Sequence, residues 1–144
     1  MLKRLALFAV FVLAATPTPA QPRIDYVQRA QDLETLSQAF GVMHHIRRMC
    51  EPRREAEVWR NRMRKLVELE QPQPALRDRM VEAFNTGFRD ASARFEFCEE
   101  DARDYAAATA AQADTVVNRL MEPLYGALSE TGELPQVWRG GDNN

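Results

Sequence analysis

The feature that most constrains this 144-residue chain is its pair of well-separated cysteines, Cys50 and Cys98, the two that it contains. In an exported chain, two such cysteines are expected to form a disulfide, because the compartment is oxidising. Closing a loop of this length contributes about 4 kcal/mol to stability in the chain-entropy model. Free or redox-active thiols are a weaker interpretation, because no Cys-x-x-Cys spacing is present.

The first twenty residues have the three parts of a secretory signal peptide. Lys3 and Arg4 form a basic start, an apolar run follows from Leu5 to Ala15, and small residues precede a cleavage position after Ala20. The apolar run is too short to span a bilayer, so an uncleaved membrane anchor is the lesser alternative. We therefore expect residues 1–20 to be removed and the mature protein to be periplasmic, without a membrane span.

Composition limits the classes of function. Cleavage would remove two of the 19 basic residues and none of the 21 acidic ones, which leaves a net charge of about −4. A mildly acidic chain of this kind is not expected to bind nucleic acid. The length is sufficient for one domain with a packed core and not for two.

Apolar residues recur at spacings of three and four along most of the mature chain, which predicts helices. Pro52 and the segment Gln71-Pro72-Gln73-Pro74 break the pattern, because proline disfavours a helical residue before it. Gly41 lies inside the first helix; it indicates either close approach by a neighbouring helix or a tolerated defect. The predicted helices span about residues 25–49, 53–70, 74–97 and 99–124.

These helices predict an all-α fold, an antiparallel up-down bundle of about four helices stapled by one disulfide. In that topology the first and third helices end at the same pole, which brings Cys50 and Cys98 within the roughly 7 Å between Cα atoms that a disulfide needs. We expect a helical domain over residues 21–125. Helical order is expected to fade at Gly126, leaving residues 126–144 as a mobile tail.

The sequence contains no evident catalytic site, metal site or cofactor site. His44 and His45 are adjacent, so on a helix they point about 100° apart and cannot easily share a metal ion. The acidic cluster of Glu99, Glu100, Asp101 and Asp104 suits the first turn of a helix, although paired carboxylates could also serve acid–base chemistry. We expect no cofactor and no bound metal.

The segment from Arg47 to Lys65 is strongly basic, with eight basic and three acidic residues. It could bind an anionic partner, or it could neutralise the acidic segment 96–104 at the same pole of the bundle. Its candidate interaction face is formed by Arg60, Arg62 and Arg64, of which at most two can share one face of a helix.

A second set of residues is assigned to packing. Trp59 and Met63 belong to an apolar stripe, and the segment from Phe84 to Arg89 has the pattern Phe-Asn-x-Gly-Phe-Arg. Asparagine is unfavourable in mid-helix, so this pattern indicates either a packing or hydrogen-bonding point between helices or a local bend. The predicted structural set is Trp59, Met63, Phe84, Asn85, Gly87, Phe88 and Arg89.

The order of the segments 44–50, 59–63 and 84–89, followed by Cys98, resembles an uncharacterised family of small exported alphaproteobacterial proteins with two separated cysteines, DUF2385. The likeness covers about residues 30–110. It implies a periplasmic protein with a bridge between Cys50 and Cys98 and no assigned activity. One departure is that members often have Thr-Pro after the second cysteine, where this chain has Glu99-Glu100.

Three hypotheses of function follow. The first is a non-enzymatic envelope adaptor that binds another envelope protein or an anionic envelope component through its charged face. The second is a periplasmic chaperone-like or ligand-binding bundle, which would need an exposed apolar groove. The third is a cell-envelope enzyme, which would need a carboxylate or nucleophile in a cleft.

Overall fold

The structure, a computed structural model, describes residues 25–55 and 57–131 and contains no strand within them. The all-α fold is therefore confirmed. The predicted signal peptide and the part of the predicted tail beyond residue 131 lie outside the described residues. The helices are α1 (Tyr26–Cys50), α2 (Pro52–Glu55), α3 (Val58–Glu70), α4 (Pro74–Arg94) and α5 (Glu100–Thr131).

Helix α1 is the centre of the fold, because each of the other helices packs against it. Its start is fixed by Asp25, whose carboxylate accepts hydrogen bonds from the backbone N–H groups of Val27 and Gln28 at 3.0 and 3.1 Å. Such a cap satisfies donors that have no partner within the helix. Pro52 follows the end of α1 and begins α2.

The predicted second helix, about 53–70, is in fact two helices, because α2 is one short turn and α3 begins anew at Val58. Helix α4 ends at Arg94, earlier than the predicted residue 97. The physical reason is Phe95, whose extended backbone turns its ring into the core, where it lies 5.3 Å from the ring of Tyr105.

Helix α5 continues to Thr131, so the prediction that helical order fades at Gly126 is wrong. A single glycine costs a helix only about 1 kcal/mol relative to alanine. Pro123 also lies within α5. Sequence reasoning gave Gly126 too much weight as a helix breaker.

The core forms two clusters along α1. One lies towards the disulfide and includes Val42, Ile46 and Phe95, and the other includes Leu33 and Met80. These apolar side chains are at most 5% exposed. Burial of this kind is the main favourable contribution to folding.

Cys50 and Cys98 form a disulfide, with their Cα atoms 5.1 Å apart. Cys50 is the last residue of α1, and Cys98 lies in the link between α4 and α5. The bridge therefore fastens that link to the end of the central helix. The predicted antiparallel arrangement and the predicted staple are both confirmed.

Helices α1 and α4 cross at two glycines. A Cβ atom placed on Gly41 would overlap the carbonyl oxygen of Phe84 and lie 2.9 Å from the backbone nitrogen of Phe88. A Cβ atom on Gly87 would overlap the carbonyl oxygen of Gln38 in the same way. Of the two explanations for Gly41, the structure therefore supports close approach by a neighbouring helix.

Candidate interaction surface

The structure separates the three arginines of the predicted interaction face. Arg60 and Arg64 are four positions apart on α3, so they share one flank of the helix; we call these two residues the basic flank. Arg62 lies on another side, with its guanidinium carbon 4.2 Å from the centre of the Trp59 ring. A guanidinium over an indole face is an attractive cation–π pair.

The side chains of the basic flank extend into solvent. Arg60 is 62% exposed and has one distant counter-charge, a Glu57 carboxylate at 3.8 Å. The Arg64 guanidinium donates to the side-chain oxygen of Asn61, which is neutral. Because an exposed ion pair at this distance contributes little, the positive charge of the flank remains available to a partner.

The other ion pairs of the basic segment are local. Arg47 pairs with Glu51 at 2.6 Å, and Lys65 pairs with Glu68 at 3.1 Å. Among the described side chains, no ion pair joins the basic segment to the acidic segment 96–104. Direct neutralisation between the two segments, one of the alternatives from the sequence, is not seen.

The acidic cluster lies at the start of α5, and its carboxylate residues are exposed. Asp101 accepts a hydrogen bond from the backbone N–H of Ala102 at 2.8 Å. This is the favourable placement of negative charge at a helix start. Within residues 25–55 and 57–131, no group of three or more histidine, cysteine or acidic side chains is arranged to hold a metal ion.

The residues assigned to packing fall into two groups. Met63 is 6% exposed and contacts the apolar cluster of Leu33 and Met80. Phe84 and Phe88 lie against His44, with ring centres 5.7 and 5.6 Å from the imidazole. The remaining residues of the set are placed as follows: Trp59 is half-buried below Arg62, Gly87 meets α1, and Asn85 and Arg89 are exposed on α4, where Arg89 pairs with Glu82 at 2.7 Å.

His44 is the buried histidine and His45 the half-buried one. His44 is 3% exposed, and its Nδ1 atom has no hydrogen-bond partner. Burial lowers the pKa of His44 below its usual value, and the positive charge of Arg60 lowers that pKa further. The His45 Nε2 atom lies 2.9 Å from the carbonyl oxygen of Phe95.

The lowered pKa of His44 predicts a pH-dependent stability. The unfolded chain takes up a proton near pH 6.5, whereas the folded protein resists it, so the unfolded state binds more protons as the pH falls. We expect stability to be constant above this value and to decrease below it. Urea unfolding of the wild type and of His44→Leu at a series of pH values measures the effect, since the variant should lose this dependence.

The matched control is His45→Gln on the same turn of α1, which should keep most of the decrease in stability below pH 6.5, because the charge of His45 has the smallest effect on His44 among its charged neighbours. The charged groups that act on His44 are Arg60 on α3, Glu57 immediately before α3, and Arg48 and His45 on α1. If His44→Leu lost stability at low pH as steeply as the wild type, His44 would not be the titrating group.

Among the ion pairs that tie α1 to distant segments, two hold it to α5 and α3, and sequence reasoning missed both. Arg119 on α5 donates to the buried Asp32 at 2.6 Å, and Arg29 donates to Glu70 at the end of α3 at 2.7 Å. The hydrogen bond from the Arg119 guanidinium lowers the pKa of Asp32, against the opposing effect of burial. The partners lie far apart in the chain, so no local sequence pattern could have indicated either pair.

Comparison with protein families finds a match over most of the chain. A family model described as "Protein of unknown function (DUF2385)" matches residues 29–123, about two thirds of the chain. Comparison with curated proteins and with solved structures finds no match. Within the described part of the chain, no helix has both the length and the hydropathy to cross a bilayer.

Proposed function

Because the chain belongs to the DUF2385 family, whose function is unknown, we propose a function from its surface chemistry: a non-enzymatic binding protein of the cell envelope. Its partner carries negative charge and binds the basic flank of Arg60 and Arg64. The partner is another envelope protein with an acidic surface. The observation that carries the proposal is the exposed and largely unpaired positive charge of this flank on a helix that the core holds in place.

The fold supports a binding surface on α3 because that helix is firmly seated. Met63 is buried against Leu33 and Met80, and Glu70 at the end of the helix is held by Arg29. Binding therefore requires no ordering of the backbone, which is one of the main costs of association. A positive patch of this kind accelerates encounter with an acidic surface and selects against basic ones.

Export to the periplasm is part of the proposal. It is supported by the signal-like residues 1–20 and by the disulfide between Cys50 and Cys98. Disulfides persist in oxidising compartments and are rare in reducing ones.

The proposal is tested by photocrosslinking in cells from Glu68 on α3, one turn beyond Arg64, which leaves both arginines in place. We expect one dominant adduct, and we expect Arg60→Glu with Arg64→Glu to reduce its yield about tenfold or more, since each reversal replaces attraction by repulsion. Adduct yield and partner identity are read by gel and mass spectrometry.

The matched control reverses two exposed arginines of α4, Arg77 and Arg89, which changes the net charge equally. This control should keep the adduct. An adduct that persists in the Arg60 and Arg64 double variant would refute the proposal, as would equal loss in the control. A scatter of unfolded proteins in place of one adduct would favour the chaperone-like alternative.

A further inference from the structure

A trough runs along α1 on the side away from α4. Its floor is α1 and one wall is α5 along its whole length, whereas α3 forms the opposite wall only at the wider cavity. It consists of two cavities of about 340 and 270 Å³ that share Ala110. Along α1 the trough extends from Leu36 to Cys50, a distance of about 20 Å at the rise of an α-helix. It therefore has the length of four helical turns.

The α5 wall of the trough carries a row of small side chains. Ala107, Ala110 and Ala113 line it, and Val117 extends the apolar surface and is 38% exposed. Small side chains allow the backbone of another helix to approach closely. The shape and lining of the trough thus suit a helix with a small-residue face.

Two opposite charges stand on facing walls of the wider cavity. Arg62 projects from α3 and Asp114 from α5, and both are exposed. Within the described residues the Asp114 side chain makes no ion pair or hydrogen bond, and the contact described for the Arg62 side chain is with the Trp59 ring. Each wall therefore carries one charge without a counter-charge.

We propose that a second copy of this chain occupies the trough. Each copy places its α5 in the trough of the other about a two-fold axis, and Arg62 of each pairs with Asp114 of the other. In a two-fold interface the same residues meet reciprocally. One symmetric contact then supplies both missing counter-charges and covers Val117. The alanine-rich face of α5 in one copy then packs against the same alanine-rich face in the other copy, where small side chains allow close approach.

A second copy accounts for the trough better than a small ligand or an unrelated helix. A ligand with one charge would leave either Arg62 or Asp114 without a counter-charge. The chain already contains a helix with a small-residue face and a carboxylate beside it. The proposal does not depend on the proposed function, because the basic flank of Arg60 and Arg64 lies on another side of α3.

The test is sedimentation velocity of the purified, exported protein over a concentration series. We expect a monomer–dimer equilibrium in the wild type. Arg62→Glu and Asp114→Arg should each raise the dimer dissociation constant about a hundredfold, because each interface contains the pair twice and each pair is worth about tenfold. Mixed in equal amounts, the two variants should dimerise again, since each introduced charge then meets its opposite.

Two further variants keep the result decisive. Val117→Arg introduces a bulky charge at the rim of the trough and should also prevent dimerisation, whereas Arg60→Glu on the basic flank should not. All four positions lie at the surface, so thermal melting monitored by circular dichroism should be little changed. A wild type that stays monomeric at all concentrations would refute the proposal, as would a mixture of Arg62→Glu and Asp114→Arg that fails to associate.

Discussion

Replacing Gly41 or Gly87 with alanine should destabilise the fold by about 3 kcal/mol or more, at the upper end of the cost of overpacking. At each position the new methyl group would meet backbone atoms of the other helix, Phe84 and Phe88 in one case and Gln38 in the other. A side chain can rotate away from such a clash, but a backbone inside a helix cannot. The two helices would have to separate, and the core around His44 would lose its packing.

The matched control for this prediction is Gly126→Ala. Gly126 lies in α5, and a Cβ atom added there would have no neighbouring atom within 4 Å, so alanine at this position should stabilise the helix by about 1 kcal/mol. Urea unfolding of the three variants measures the difference. If Gly41→Ala were as stable as the wild type, α1 and α4 would have to lie farther apart at Gly41 than the structure shows.

The double variant of Gly41 and Gly87 adds a sharper test. Both glycines serve one crossing of α1 and α4, so once the first methyl group has separated the helices, the second should cost little more. We therefore expect a combined loss well below the sum of the two single losses, as is found for residues that share contacts. Additive losses would indicate two independent sites.

Much of the fold could be predicted from the sequence because helix periodicity and breaks are local properties. The three-and-four spacing of apolar residues indicated the helices, and the prolines indicated several of their ends. The pole shared by Cys50 and Cys98 followed from the alternating direction of the helices. The two predicted helix ends that were wrong also concern local structure. Helix α4 ends before Phe95, whose side chain reaches the core, and α5 continues past Gly126.

The central role of α1 could not be predicted, because it depends on contacts between distant segments. Buried polar residues on this helix, Asp32, Ser37 and His44, interrupt its apolar stripe and hide the breadth of its buried face. The partner of Asp32 is 87 positions away. Sequence analysis put at most two of Arg60, Arg62 and Arg64 on one face; the structure directs Arg62 to the trough and the other two to the basic flank.

Removing the disulfide should have the second large effect. Cys98→Ser should lower stability by about 4 kcal/mol, since the bridge closes a loop of 48 positions and restricts the unfolded chain by that amount in the chain-entropy model. For a domain of this size the melting temperature should fall by roughly 15 °C. Thermal unfolding followed by circular dichroism measures the change.

The reduced wild type is the control for the substitution itself. It contains both cysteines without the bond, so its melting temperature should equal that of Cys98→Ser and lie well below that of the oxidised protein. Protein taken from cells should resist alkylation until it is reduced, as read by mass spectrometry. Free thiols in freshly extracted protein would contradict both the staple and the proposed export, because the same oxidising compartment accounts for the two. If the oxidised and reduced wild type melted at the same temperature, the bond would exist but add nothing to stability. Packing alone would then fix the link between α4 and α5 at the end of α1.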